Sequence, residues 1–277
     1  MKNMKMLFLL FVAVLTLYGC SSHEASGEER TESKAPAHRE KVTPKKEMAH
    51  SENWIKVDSP ARIPILMYHS ISSGNSLRVP EAQFRKQMKW LKKNGYYTLT
   101  PEEAYIVLTQ DKKPRKKCVF ITFDDGYTDN YTKAYPILKE YGMKATIFMI
   151  GKSIGAKNHL TTKQMKEMSR HGVSIESHTI NHVELSRLTV DQQKNEMTRS
   201  KKLFDGMFNQ NTVMLCYPVG RYNSDTLRLA KEAGYQMAVT TEPGTASREQ
   251  GMQALHRVRI SPGLSTEAFA RMIEQNK

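Results

Sequence analysis

Two adjacent acidic residues are the first feature of this sequence that could do chemistry. Asp124 and Asp125 directly follow the apolar run of residues 118–123 and precede Gly126, in the stretch Thr-Phe-Asp-Asp-Gly. Two carboxylates at the end of a buried strand are costly unless a cation lies close to them. The stretch therefore indicates a metal ligand or an acid-base pair. An ordinary acidic turn, in which Gly126 supplies the backbone freedom, is the alternative.

A pair of histidines is the second feature. His178 and His182 lie four residues apart and directly follow a short predicted strand that ends at Ser177. If this segment forms one helical turn, both imidazoles can face the same metal ion. Two imidazoles and one carboxylate are the usual ligands of a hydrolytic zinc site that keeps one position open. Two unrelated surface histidines are the alternative, but complementary ligands after two separate strands favour a metal site.

Two further segments carry weaker signals. The stretch from Leu215 to Gly220 reads Leu-Cys-Tyr-Pro-Val-Gly, and its proline and glycine are typical of an ordinary turn. Leu255 and His256 stand just before an apolar run, residues 258–260, that we interpret as a strand. A lone histidine at such a position is more often structural than catalytic.

The elements that must position these residues alternate between strand and helix. Apolar runs predict strands, and amphipathic segments predict helices between them. This order predicts an α/β fold with parallel strands and outer helices, either a barrel or an open sheet, with its chemistry at the carboxyl ends of the strands. The predicted strands are 63–69, 118–123, 145–150, 173–177, 213–217, 237–240 and 258–260, and the predicted helices are 81–93, a short one from Pro101, 131–141, 162–170, 190–207, 224–233 and 266–275.

Taken in order, these segments resemble the polysaccharide deacetylase family, also called the NodB-homology domain or carbohydrate esterase family 4. The resemblance covers most of residues 118–260, and the motifs Thr-Phe-Asp-Asp-Gly and His-Thr-x-x-His are highly specific in this arrangement. Residues 65–69, Ile-Leu-Met-Tyr-His, look like the extra N-terminal strand of members that act on extracellular poly-N-acetylglucosamine. The resemblance implies a distorted (β/α) barrel of about seven parallel strands with outer helices, as a single domain over residues 61–277.

The resemblance also implies a role for each motif residue. Asp125, His178 and His182 would bind one divalent ion, zinc by preference or cobalt, and Asp124 would be the general base that deprotonates the metal-bound water. His256 would be the general acid for the leaving amine. The backbone N–H of Val219 would stabilise the oxyanion, since Pro218 has no N–H to donate. The implied substrate pocket consists of Leu255, Tyr217, His69 and Tyr68.

Two positions depart from the family pattern. Cys216 stands where many relatives have an arginine, and the stretch Ala238 to Thr241 reads Ala-Val-Thr-Thr where relatives usually have an aspartate. Both changes remove charged partners that orient the acid and the base. We therefore expect Asp124 and His256 to lack such partners, and we interpret the changes as marks of the branch that acts on poly-N-acetylglucosamine.

Other functions fit the same residues less well. A two-histidine, one-carboxylate triad also binds Fe(II) in oxygenases, but that chemistry has no use for Asp124 or His256. A metalloprotease is not expected because the sequence has no His-Glu-x-x-His stretch. A glycan-binding module that has lost catalysis is the alternative from another class. The motifs predict the reaction and leave poly-β-1,6-N-acetylglucosamine, peptidoglycan and chitin-like oligomers open as substrates.

The N-terminal region has the composition of an export signal and a linker. Lys2 and Lys5 precede the short apolar run of residues 7–17, which ends near Gly19-Cys20. We expect residues 1–19 to be a signal peptide, Cys20 to be lipidated and residues 20–60, which contain few apolar residues, to form a flexible linker. The predicted location is the extracellular face of a bacterial cell membrane. Plain secretion is the alternative, because Tyr18 is unusual before a lipidated cysteine.

The charge and the cysteines add two expectations. The net charge is +14, and about +13 of it falls in residues 61–277. A basic surface favours anionic partners, but no nucleic-acid motif accompanies it, so we expect an acetylated extracellular glycan as partner, no nucleic acid, and a monomer. Cys118 and Cys216 lie in apolar runs and are expected to be buried free thiols.

Overall fold

The computed structural model describes residues 53–274, so the expectations for residues 1–19, for Cys20 and for most of the linker lie outside the described residues. The strands are β1 (Ile55–Lys56), β2 (Arg62–Ile63), β3 (Ile65–Tyr68), β4 (Tyr97–Thr98), β5 (Lys112–Lys113), β6 (Cys118–Asp125), β7 (Ala145–Met149), β8 (Val173–Ser177), β9 (Met214–Cys216), β10 (Met237–Pro243), β11 (Ala246–Ser247) and β12 (Leu255–Arg259). The helices are α1 (Glu81–Lys93), α2 (Pro101–Gln110), α3 (Tyr135–Tyr141), α4 (Thr162–Ser169), α5 (Val190–Phe208), α6 (Ser224–Glu232) and α7 (Thr266–Glu274).

The main sheet closes into a barrel. Seven of its eight strands run in the order β3-β12-β10-β9-β8-β7-β6, and β3 pairs with β6 to complete the ring, while the short β4 pairs with the start of β6. Every pairing in this ring is parallel. The predicted seven-stranded parallel barrel with outer helices is therefore confirmed. Because all seven strands run the same way, their carboxyl ends lie at one end of the barrel.

The barrel is distorted between β8 and β9. These strands pair only at Ser177 and Leu215. One residue before Ser177, the side chain of Glu176 replaces a backbone acceptor. Its carboxylate accepts hydrogen bonds from Val213 N at 2.9 Å and Met214 N at 2.6 Å. Burial raises the pKa of this carboxyl well above its ordinary value.

Alternation along β6 explains how the core and the site share one strand. Successive side chains of a strand point to opposite faces. Val119, Ile121 and Phe123 pack in the cluster that includes residues of α1, α3 and α7. Phe120 packs in a second cluster with residues of the other barrel strands and of α2. Asp124 follows Phe120 by four residues, so both side chains lie on the same face of β6. The strand that fills the barrel interior therefore also directs a carboxylate into it.

Three details differ from the sequence predictions. The last barrel strand begins at Leu255 and not at Val258, which places His256 inside β12. The predicted helix over 131–141 is a π-helical turn, Asn130–Ala134, followed by α3. Cys118 and Cys216 are both free, as expected, but Cys118 is only partly buried.

Candidate metal centre and active site

Three potential metal ligands meet at the carboxyl end of the barrel. Asp125 closes β6, and His178 and His182 follow β8, two strands away around the barrel. Asp125 Oδ1 lies 3.5 Å from Nε2 of His178 and 3.5 Å from Nε2 of His182. The structure therefore brings together the three residues that the sequence assigned to one metal site.

This set of donors fits a divalent metal ion. The three ligand atoms lie within 4.8 Å of one another, which suits zinc with ligand distances of about 2.0–2.2 Å. His178 Nδ1 donates a hydrogen bond to Cys216 O at 2.8 Å, so its Nε2 lone pair remains available for a metal. Two imidazoles and one carboxylate also leave a coordination position open, as a hydrolytic site requires.

The segment between the histidines is not a helical turn, the conformation in which the spacing of four residues would let both imidazoles face one metal ion. Thr179 has a φ of 64° and His182 a φ of 55°, both in the left-handed region that β-branched and bulky residues rarely adopt. Each such residue costs about 1–3 kcal/mol and persists only where its surroundings hold it. One such contact is local, because Thr179 Oγ1 accepts a hydrogen bond from His182 N at 3.1 Å.

The second carboxylate of the pair is held by a buried arginine. Arg257 Nη1 and Nη2 donate to the two oxygens of Asp124 at 2.7 Å and 2.8 Å. The side chain of Arg257 is 0% exposed. Its remaining donors are also used, with Nε bonded to Thr240 O at 2.7 Å and Nη2 lying 3.3 Å from Cys216 Sγ. Asp124 is thus fixed in orientation by a bidentate charged contact.

This contact corrects the expectation that Asp124 lacks a charged partner. Burial alone would raise the pKa of Asp124, but the guanidinium of Arg257 and then the imidazole of His69 hold that pKa well below its ordinary value. Arg257 comes from β12, whereas the family arginine was expected at position 216 on β9. Arg257 was not among the residues predicted for the site. Its place inside the mostly apolar run 255–260 is nevertheless a signal in the sequence, because a buried guanidinium requires a carboxylate.

A second group of potential ligands overlaps the first. Ligand atoms of Asp124, His178 and Cys216 also lie within 4.8 Å of one another. Both oxygens of Asp124 accept from Arg257, however, and a guanidinium beside the carboxylate opposes a cation at the same place. The set formed by Asp125, His178 and His182 is therefore the better metal site.

Comparison with known proteins identifies the family. A profile described as "Polysaccharide deacetylase" matches residues 111–238, a range that contains both the aspartate pair and the histidine pair. The chain is also 62% identical to YxkH of Bacillus subtilis (strain 168) over 280 residues, covering 99% of this chain and 100% of YxkH. The chain belongs to the polysaccharide deacetylase family. It is accordingly a hydrolase that acts as an N-deacetylase.

Two more distant relatives agree with this assignment. The chain is 28% identical over 225 residues to the poly-beta-1,6-N-acetyl-D-glucosamine N-deacetylase of Staphylococcus aureus (strain MRSA252), covering 76% of each protein. A solved structure of the Streptococcus pyogenes deacetylase PplD, in complex with acetate, superposes with a TM-score of 0.76 and 42% identity. That comparison covers 78% of this chain and 100% of PplD.

His69 lies beside the deacetylase's aspartates. It follows β3, and its Nε2 is 3.7 Å from Asp124 Oδ2, with the side chain 14% exposed. Asn130 Nδ2 donates to His69 O at 2.7 Å, which fixes the backbone at this point. Burial lowers the pKa of His69, partly offset by Asp124 and Asp125. The structure thus places this residue at the site, as the resemblance implied.

The two tyrosines assigned to the substrate pocket are placed elsewhere. Tyr68 is buried on the other face of β3, where its hydroxyl donates to Gln87 of α1 at 2.7 Å. Tyr217 is also buried, and its hydroxyl donates to Gln253 O at 2.9 Å. Both hydroxyls are committed to the core, so neither tyrosine is available to a substrate in this structure.

Leu255 and His256 point to opposite faces of β12. Leu255 is fully buried in the inner cluster of the barrel. Arg257 shares the inner face with Leu255, so His256 points outward, where its ring packs near Gly244. Within residues 53–274, no described hydrogen bond or ion pair joins the His256 side chain to Asp124 or Asp125.

Val219 occupies a tight turn after β9. It has a φ of 51° and is 55% exposed, and no hydrogen bond from its N–H is found within residues 53–274. Thr241 packs directly against this turn. A Cβ atom on Gly220 would lie only 2.1 Å from Thr241 Oγ1. Thr241, at one of the positions that depart from the family pattern, therefore packs against the turn that presents the Val219 N–H.

Proposed function

We propose that the protein removes N-acetyl groups from amino-sugar units of an extracellular polysaccharide in a metal-dependent reaction. The observation that carries this proposal is the placement of Asp124, held by Arg257, next to the set of Asp125, His178 and His182. In such a set a metal ion would be bound by the carboxylate of Asp125 and by the two imidazoles, and the adjacent ionised carboxylate of Asp124 then has a role as a base. A glycan-binding module without catalysis would not need this arrangement.

Each residue of the site has its own role in the proposed reaction. When bound, a divalent ion supplies Lewis-acid activation and lowers the pKa of a water molecule towards about 7. Asp124 takes a proton from the water that attacks the acetyl carbonyl, and Arg257 keeps its carboxylate oriented. The free N–H of Val219 donates to the oxygen on which negative charge develops. The proton finally returns to the nitrogen of the departing sugar amine, and acetate is the second product.

The resemblance and the distances in the site favour different imidazoles as the group that returns this proton. The resemblance implies His256, whereas His69 is the imidazole that lies 3.7 Å from Asp124. We propose that His69 receives the proton from Asp124 and passes it to the leaving amine. On this proposal His69→Ala lowers kcat by about 10²–10⁴-fold, the usual range for acid-base catalysis, while His256→Ala lowers it much less. The reverse order of effects would return the role to His256.

The similar proteins suggest a substrate class. The Staphylococcus aureus relative is named for poly-beta-1,6-N-acetyl-D-glucosamine, and PplD was solved with acetate, the product expected here. We propose a poly-N-acetylglucosamine polymer ahead of peptidoglycan or chitin-like oligomers. The test is acetate and free-amine release from these three polymers and from acetylated xylan, with zinc added and Asp124→Asn as control. Release from xylan alone, or from none of them, would contradict the proposal.

The location also remains a proposal. No helix within residues 53–274 is long and apolar enough to cross a membrane. We propose that a diacylglycerol on Cys20 anchors the protein outside the cell, because one acyl chain alone binds a membrane weakly. The wild-type protein should then fractionate with membranes, and Cys20→Ala should shift it to the precursor or to the medium. A wild-type protein that is wholly in the medium, with a different N-terminus, would indicate plain secretion.

A further inference from the structure

A buried glutamate on α5 contacts the loop that joins the two histidine ligands. Glu196 is 6% exposed. Its Oε2 accepts hydrogen bonds from Ile180 N at 3.0 Å and Asn181 N at 2.9 Å, and its Oε1 accepts one from Asn181 Nδ2 at 2.5 Å. No ion pair to Glu196 is found among residues 53–274. The carboxylate is thus committed to three N–H groups of one short loop.

The other hydrogen bonds of that loop lie at its start, at two of its carbonyls and between His182 N and Thr179 Oγ1. His178 directly follows β8 and is oriented by Cys216 O, but His182 lies at the far end of the loop with its side chain 32% exposed. Thr179 and His182 both have positive φ, so the segment would relax if its contacts were lost. On the opposite side, Gly151 N and Lys152 N donate to the carbonyls of residues 179 and 180.

Glu196 fixes the part of the loop that leads into His182. Two carbonyls of the loop accept from the segment that follows β7. Within residues 53–274, the acceptor of its successive N–H groups at residues 180 and 181 is the Glu196 carboxylate of α5. Two consecutive N–H groups that share one acceptor fix the orientation of the peptide units that lead into His182. The position of the His182 ring relative to Asp125 therefore depends on a residue that does not itself reach the metal site.

We propose that Glu196 is a positioning residue that sets the metal affinity of the site through His182. This inference rests on the proposed metal-dependent function. It differs from a purely structural role, in which Glu196 would only fasten α5 to the barrel. A structural role alone would lower the melting temperature and leave the zinc affinity unchanged.

The test is calorimetric zinc titration of the metal-stripped full chain, with kcat measured as acetate release at increasing zinc. Glu196→Ala should bind zinc about 10–100-fold more weakly, the usual effect of losing a residue that orients a ligand. Its kcat should recover at saturating zinc, with KM unchanged, because Asp124 and the ligands themselves are intact. Asp191→Asn removes an exposed acid from the same helix and is the matched control, expected to behave as wild type.

Glu196→Gln is the conservative variant. A glutamine oxygen can still accept from residues 180 and 181, and the Asn181 amide can turn to present its oxygen to the new N–H group. Zinc affinity close to the wild-type value is therefore expected for Glu196→Gln. If Glu196→Ala does not fold, Glu196→Asp keeps the charge but shortens its reach, and it should also weaken zinc binding.

Failure of the positioning role and failure of the proposed metal-dependent reaction give different results. A foldable Ala or Asp variant that binds zinc as tightly as wild type would contradict the positioning role. A loss of activity that saturating zinc does not restore would contradict it as well. If the wild-type protein itself neither bound zinc nor released acetate, the proposed metal-dependent reaction would be wrong.

Discussion

The two ends of the barrel each contain an ion pair with a buried carboxylate, and the two pairs are built differently. At the carboxyl end, Arg257 binds Asp124 with both side chains almost fully buried. At the amino end, Lys144, which precedes β7, binds both oxygens of Glu103 at 2.8 Å and 2.9 Å, and its side chain is 32% exposed. The first pair joins two barrel strands, and the second joins α2 to the barrel.

The difference lies in what else the carboxylate touches. Glu103 also accepts from Tyr97 Oη at 2.5 Å and from Thr100 N at 2.8 Å, and the latter contact belongs to the capping box of α2. All partners of Glu103 therefore serve the fold. Asp124 faces His69 on one side and lies next to Asp125, so its ionised carboxylate borders the metal site. Every partner of Glu103 holds the fold, whereas Asp124 also faces groups of the metal site, and this is what allows Asp124 to take part in a reaction.

The largest expected contrast is in activity. Asp124→Asn removes the proposed base and should lower kcat by about 10²–10⁴-fold with zinc still bound. Glu103→Gln, at the other end of the barrel, should leave kcat unchanged although it lowers the melting temperature. Acetate release and zinc content of both variants check this contrast. Normal deacetylation by Asp124→Asn would reassign the base.

Stability should show a smaller contrast in the same direction. Arg257→Met leaves the carboxylate of Asp124 buried without a cation, which typically costs about 3–5 kcal/mol in the free energy of unfolding. Lys144→Met leaves Glu103 with two remaining donors and should cost about 1–3 kcal/mol. Denaturant unfolding measures both. Adding Asp124→Asn to Arg257→Met should recover part of the stability, and an additive further loss would argue against a coupled pair.

Alkaline titration should produce the smallest effect. Burial alone would lower the pKa of Lys144, but its hydrogen bonds to Glu103 and Tyr97 raise that pKa above its ordinary value. The stabilisation is therefore complete below the unfolded-state pKa, about 10.4, and is lost as pH rises through the higher folded-state value. The difference in unfolding free energy between wild type and Glu103→Gln should shrink in this range.

The carboxyl-end pair supplies the control for that titration. Burial alone would lower the pKa of Arg257, but Asp124 and then Cys216 raise it above its ordinary value, so Arg257 stays charged throughout. The stability difference between wild type and Asp124→Asn should therefore stay constant as Lys144 titrates. A difference that shrinks for both variants would mean that alkaline pH acts on the whole fold and not on one pair.

The barrel and the metal ligands could be predicted because their signals are local. Apolar runs separated by amphipathic segments indicate parallel strands with outer helices, and polar residues that directly follow two strands must meet at one end of such a barrel. Asp125, His178 and His182 are of this kind. Each lies at or just after the end of a strand that is evident in the sequence alone.

The remaining features depend on contacts between distant parts of the chain. Arg257 reaches Asp124 across 133 positions, and its strand was predicted to start three residues too late. Tyr68 and Tyr217 were assigned to the pocket by resemblance, but the face on which a side chain lies is decided by strand parity and packing. The loop that contains the left-handed residues Thr179 and His182 is held in part by Glu196 and by the segment after β7, which no local pattern indicates.

The most direct test of the metal-dependent site is a zinc titration of the metal-stripped wild-type protein in which acetate release from poly-N-acetylglucosamine is followed. Release should rise with zinc and saturate at one equivalent per chain. His178→Ala and His182→Ala, which lack a ligand, should show no such saturation while they remain folded. Full acetate release by the metal-free protein, or stoichiometric zinc and full activity in either variant, would contradict the assignment of Asp125, His178 and His182 as the catalytic metal site.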